Sequence, residues 1–175
     1  MTPVAAIATY IAAKDGNRPV LLEQAFSPDV QLHMKVKSDA VSFPSSASGL
    51  AAVSDVLVRD FATKYENVYT FCLAKPAPDD RQRFTCPWLV GMSTKVDNSV
   101  RVGCGTYDWR FDTSGRVDEL AIQIEKMEAL APDTRSAVMT WLAAIDYPWC
   151  TPKSVLVGMP QLDALKAVRD YLSGC

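Results

Sequence analysis

One histidine, His33, stands in a chain of 175 residues, so no histidine pair is available to a metal, and a Cys–His nucleophile has a single base to draw on. The five cysteines, Cys72, Cys86, Cys104, Cys150 and Cys175, are odd in number, widely spaced and free of any C-x-x-C pair. That pattern argues against a disulfide framework and against the thiolate spacing of structural zinc, and predicts reduced thiols and no metal. Basic charge is not in excess: 18 Lys and Arg face 20 Asp and Glu, for a net charge of −2. Without a basic stripe there is no footprint for a phosphate backbone, so no nucleic-acid partner is expected. No run reaches about 18 consecutive apolar residues, which predicts no membrane span. The opening stretch, MTPVAAIATYIAAKDGN, lacks the basic leader and cleavage pattern of a secretory signal, and the expected location is cytoplasmic. What is present is a globular composition, 49% hydrophobic and 22% charged, with no internal repeat or low-complexity tract. It fits one domain with a terminal extension, large enough to bury a core and a ligand cavity.

Val4, Ile7 and Ile11 recur at helical spacing over residues 3–14, with Pro3 suited to the first turn and Asp15-Gly16-Asn17 to the stop. A short helix over 18–26 precedes Ser27-Pro28-Asp29. Val30, Leu32, Met34 and Val36 then alternate with Gln31, His33, Lys35 and Lys37, predicting a strand with one buried face and with His33 pointing outward. A loop over 38–48, holding Asp39, Phe43 and Pro44, leads to a helix from Gly49 whose Leu50, Val53, Leu57 and Phe61 form one stripe. Strands follow over 68–74, 83–96, 100–112 and 116–128, joined by the turns Asp97-Asn98-Ser99 and Thr113-Ser114-Gly115, as in an antiparallel meander. Pro87 marks an edge or a bulge. Helices return after Ala131, first with Val138, Trp141, Leu142 and Ile145, then over 161–172, separated by an aromatic turn through Asp146-Tyr147-Pro148-Trp149.

Helices, one strand, one helix and a long antiparallel run make an α+β cone, a bent sheet wrapped around the N-terminal helices. Its cues are Ala8-Thr9-Tyr10-Ile11-Ala12-Ala13-Lys14-Asp15-Gly16, Leu21-Leu22 through Phe26-Ser27-Pro28-Asp29-Val30, Gly49, and Trp109-Arg110-Phe111 before the Gly115 turn. In this order they resemble the nuclear transport factor two-like superfamily, with its cystatin-like roll. Its members include ketosteroid isomerases, SnoaL-like polyketide cyclases, scytalone dehydratase and limonene epoxide hydrolase. The resemblance covers residues 1–130 and leaves 131–175 as a helical extension, packed on the same domain or on a dimer partner, and serving as lid, dimer contact or sheet cover. It implies a homodimer through the convex face of the sheet, which carries Cys104, Thr106, Asp108, Ala121, Gln123 and Glu125. By the same resemblance, the helix-1 tyrosine that donates to a developing oxyanion falls on Tyr10, and the second donor, a neutral carboxylic acid in the isomerases, falls on Tyr107. The carboxylate base falls on Met34, which cannot take a proton.

The register places Tyr107, Trp109, Phe111 and Ile124 on the concave side, joined by Leu57 and Phe61 from the helical stripe. The candidate ligand-binding residues are Met34, Phe43, Leu57, Phe61, Trp88, Trp109 and Ile124; Trp88 is a wall of either cavity or core. Gly103 and Gly105 either leave room for a ligand or accommodate a bend. The candidate catalytic residues are Tyr10 and Tyr107, as a two-donor clamp on one oxygen, and Asp39, the loop carboxylate nearest the cavity rim. The competing reading has the tyrosines packing by their rings and Asp39 forming a turn. Asp108, Glu125 and His33 face outward and are not expected to be bases. The expected function is binding of a small hydrophobic or planar molecule, with isomerase, dehydratase or cyclase chemistry by proton transfer and no cofactor. The alternatives are a non-catalytic carrier or sensor, and a dimeric protein-interaction scaffold.

Overall fold

The computed structural model describes residues 1–175. Thr2 caps α1 (Pro3–Asp15), its hydroxyl accepting from the Ala5 N–H, and Pro3 occupies the first turn, where a missing donor costs nothing. Asn17, at φ 49°, turns the chain toward α2 (Leu22–Ala25). β1 (Phe26–Val36) starts earlier than the alternation predicts, because Phe26 already pairs with Val117 and the register slips past Ser27-Pro28-Asp29 before resuming at Gln31. Three residues, β2 (Ser46–Ser48), pair with its other edge. The next helix runs as α3 (Leu50–Ser54), a π-helical turn (Asp55–Arg59) and α4 (Asp60–Lys64). It leads into β3 (Tyr65–Cys72), β4 (Arg83–Thr94), β5 (Val100–Phe111) and β6 (Val117–Leu130).

The sheet is six-stranded and open, in the order β2-β1-β6-β5-β4-β3. Strands β3 to β6 form the predicted meander, but β1 lies beside β6 and parallel to it, so the first strand closes the sheet against the last. The inner, concave face meets α1, α3 and α4 in a core that includes Ile7, Leu32, Val53, Trp109 and Leu120.

A second core lies on the outer face. There α5 (Arg135–Ala143), α6 (Pro152–Val157) and α7 (Lys166–Ser173) press Val138, Leu142, Val155, Val168 and Leu172 onto Phe71, Leu89, Val102 and Cys104. Gly91 makes the approach of α5 feasible: a Cβ there would fall 2.2 Å from Leu142 Cδ1. The Trp141 indole N–H donates to the Val155 carbonyl at 3.0 Å and ties α5 to α6. The stretch before α6 also covers the edge of β3, since the Cys72 N–H donates to the Pro148 carbonyl at 2.8 Å and the Cys150 N–H to the Cys72 carbonyl at 3.1 Å. The cover is one bridge, at the C-terminal end of that strand.

This layer alters the expectation of pairing through the sheet. Cys104 is fully buried beneath the extension, and Thr106 lies 3.3 Å, hydroxyl to hydroxyl, from Tyr171 of α7. His33, Arg83, Asp108, Ala121 and Gln123 border a groove that the extension leaves uncovered. No helix is long and apolar enough to cross a membrane.

Candidate functional site

Between α1, the α3–α4 helix and the inner face of the sheet lies a cavity of about 40 Å³, room for about one water. From α1 it takes Tyr10 and Lys14, one turn apart on the same helical face. Met34 of β1 and Phe43 of the loop form one side; Leu57 of the π-helical turn and Phe61 of α4 form another. The sheet supplies Trp88, Val90 and Met92 from β4, Tyr107 from β5, and Ile122, Ile124 and Met127 from β6. Twelve of the thirteen lining residues are hydrophobic, and the remaining one is Lys14.

Two candidates stand elsewhere. Trp109 is fully buried beside Tyr10 and Tyr107, at centroid distances of 5.2 and 5.1 Å, but outside the lining. Asp39 is exposed to solvent, because Ser38 pins the loop by donating to the Met127 carbonyl and accepting from the Ala40 N–H, so that Val41 and Phe43 turn inward instead. As placed, Asp39 does not reach the cavity. Gly103 and Gly105 leave no room for a ligand: a Cβ on Gly103 would strike Met127, and one on Gly105 would strike the Gln123 carbonyl and the Trp88 ring. The glycines seat the wall and mark the bulge after Cys104.

The aromatic rings form one continuous cluster. Trp88 stacks on Tyr107 at 5.4 Å, Tyr107 meets Tyr10 edge-on at 6.1 Å, and Tyr10 stacks on Phe26 at 5.8 Å. Its polar atoms are poorly served. The indole N–H groups of Trp88 and Trp109 are buried without a hydrogen-bond partner, and the Tyr10 hydroxyl, although beside that of Tyr107, makes no hydrogen bond of good geometry. Burial raises the pKa of Tyr10, against an opposing influence of the nearby Tyr107 hydroxyl, and burial followed by the charge of Tyr10 raises that of Tyr107 well above the ordinary phenol value. Both therefore remain neutral donors at any physiological pH. The neighbouring Cys86 thiol and then burial push the Cys72 thiol well above its ordinary pKa.

Lys14 and Asp15 carry a group that the sequence reading treats only as a helix end. The Lys14 ammonium, nearly buried, donates to the Thr70 hydroxyl at 2.8 Å and to Asp15 Oδ1 at 3.2 Å, and sits 4.4 Å from the centre of the Phe61 ring. Asp15 Oδ1 also accepts from the Thr70 hydroxyl at 2.7 Å, and Oδ2 accepts from the Thr70 N–H at 2.7 Å and the Tyr147 hydroxyl at 3.0 Å. Burial lowers the Lys14 pKa, and Asp15 opposes the shift. The signal was present in the sequence, since Lys14 continues the stripe of Ile7, Tyr10 and Ile11 into the buried side of α1.

No protein-family model and no curated protein matches the sequence. Solved structures do match its shape. A computationally designed 17-OHP binder is 13% identical, covers 74% of this chain and 99% of its own, and superposes with a TM-score of 0.56. A protein with a ketosteroid isomerase-like fold from Catenulispora acidiphila, in complex with trimethylamine, is 18% identical over 72% of this chain and 87% of its own, at 0.54. The epoxide hydrolase/cyclase-like enzyme SalBIII, of pyran ring formation in the polyether salinomycin, is 12% identical over 70% and 89%, at 0.53. The fold is nuclear transport factor two-like. At these identities the likeness is one of fold, and the nuclear transport factor two-like cone supplies the frame in which Tyr10 and Tyr107 face each other.

Proposed function

We propose that this protein binds a small, flat, apolar molecule through an oxygen acceptor, with the phenols of Tyr10 and Tyr107 as donors. One observation carries the reading: a fully buried Tyr10 hydroxyl without a partner, on the wall of an otherwise greasy cavity. A buried polar group left unpaired costs about 1–3 kcal/mol, and an acceptor on a bound molecule would relieve it. The cavity is narrow, but Met34, Met92 and Met127 line it, and unbranched thioether side chains re-pack readily around an entering ring. Neighbours of the same fold that include a designed 17-OHP binder and an epoxide hydrolase/cyclase-like enzyme support a ligand-binding cone. Isomerase, dehydratase or cyclase chemistry requires a base beside that oxygen. No carboxylate lines the cavity, which favours a carrier or sensor over an enzyme.

The test is a thermal-shift screen of flat carbonyl and phenol compounds, followed by Tyr10→Phe and Tyr107→Phe on each hit. A hit whose affinity falls about tenfold in either variant, one lost hydrogen bond's worth, supports the reading. Product formation would make the protein an enzyme, and stabilisation without turnover a carrier. Hits that ignore both tyrosines, or a panel that binds nowhere, would discard it.

A further inference from the structure

We infer that the Lys14 ammonium is the charged anchor of the cavity and that its ligand is an apolar monocarboxylate, a reading that rests on the binding function proposed above. The cavity's polar inventory is one-sided. Tyr10 and Tyr107 offer O–H groups, Trp88 an N–H and Lys14 an ammonium, with no carboxylate among the lining residues. Indole and ammonium groups donate and cannot accept. Such a set asks for an acceptor, and the presence of a full positive charge asks for an anionic one.

Lys14 is not needed to satisfy Asp15. That carboxylate already accepts from the Thr70 N–H, the Thr70 hydroxyl and the Tyr147 hydroxyl. The Lys14–Asp15 ion pair is nearly buried, with the ammonium 3.2 Å from Oδ1, and apolar residues replacing both partners would build the wall without the cost of desolvating two charges. The charge gains a use if a ligand in the cavity meets it. Two of its three protons go to Thr70 and Asp15, and the third direction is met by the face of Phe61, itself a lining residue. A carboxylate entering beside Phe61 would take that third proton while its apolar body lies along Trp88 and Ile124. Asp15 holds the ammonium in place from behind the wall, as it does not line the cavity.

The experiment compares trans-cinnamate with the neutral cinnamamide, titrated into the full chain by calorimetry or saturation-transfer NMR. Wild type is expected to bind cinnamate about tenfold more tightly than the amide, the gain of a charge-assisted contact. Lys14→Met should abolish that preference by weakening cinnamate more than the amide. If Lys14→Met fails to fold, the double variant Lys14→Gln with Asp15→Asn removes both charges together, and the same loss of preference is expected. Equal binding of both probes to wild type, or a preference that survives in the variants, overturns the assignment of Lys14 and leaves the binding function standing. Failure of both probes to bind overturns both readings.

Discussion

Replacing Tyr10 by phenylalanine should make the ligand-free protein more stable, although it removes a polar group from the best-packed part of the core. The hydroxyl oxygen is buried and has no hydrogen-bond partner. Such a group forgoes its bonds to water on folding and regains nothing, at a cost of about 1–3 kcal/mol. The ring contacts survive the change, since Phe26, Trp109 and Tyr107 meet the ring at 5.8, 5.2 and 6.1 Å between centroids. Loss of one oxygen leaves a gap too small for water, which returns part of the gain. A net stabilisation of about 1 kcal/mol remains, equivalent to a Tm rise of about 2–4 °C for a chain of this size. Equilibrium urea unfolding reads it as a higher midpoint at an unchanged slope. The same variant should bind its ligand more weakly, so stability and affinity move in opposite directions. A Tyr10→Phe protein destabilised by about 1 kcal/mol or more would show that the hydroxyl is bonded within the empty protein, and the case for an acceptor on the ligand would go with it.

Gly91→Ala should cost about 1–3 kcal/mol by overlap with Leu142, and Leu142→Ala about 2–5 kcal/mol by leaving a hole. The double variant should cost clearly less than the two together, and simple additivity in urea unfolding would refute the docking of α5 at this point. Asp97, on which the Thr94 hydroxyl and the Ser99 N–H converge, has its pKa lowered from 3.8 to about 2. Its contribution is therefore fully present above pH 3.8 and lost as the pH falls through about 2. Asp97→Asn should flatten the stability profile over that window, and an unchanged acid limb would refute the assignment. Tyr147→Phe removes one donor from Asp15 and should cost about 1 kcal/mol, read by thermal melting, with no effect expected if the phenol spends its time in water.

The legible parts of the fold are those in which side chains alternate or recur by themselves. Strands β4, β5 and β6 were readable because residues such as Tyr107, Trp109 and Phe111 mark one face without reference to a partner. Ser46-Ala47-Ser48 carries no such mark and becomes a strand only because the edge of β1 is there to receive it. The parallel pairing of β1 with β6 was equally hidden, since alternation fixes which face a residue takes but not which neighbour it meets. Within the site, Met34 and Tyr107 lie where strand alternation places them, Leu57 and Phe61 follow from the helical stripe, Tyr10 from the resemblance in the opening helix, and Trp88, open between cavity and core, stands on the cavity wall. Asp39 shows the weakness of placing a residue by proximity in a loop: a backbone pinned by Ser38 points it to water. Lys14 was passed over because a lysine at a helix end ordinarily serves the dipole, and only tertiary packing against Phe61 and Thr70 makes it a wall of the cavity.

The carboxylate of Asp15 gathers hydroxyl and amide donors from β3 and from the segment that follows α5, besides its own helical neighbour. The C-terminal layer is thus joined, through Tyr147 and Asp15, to the one charged side chain of the cavity wall. A change at Tyr147, far along the chain from α1, should register in the hydrogen bonding of the Lys14 ammonium.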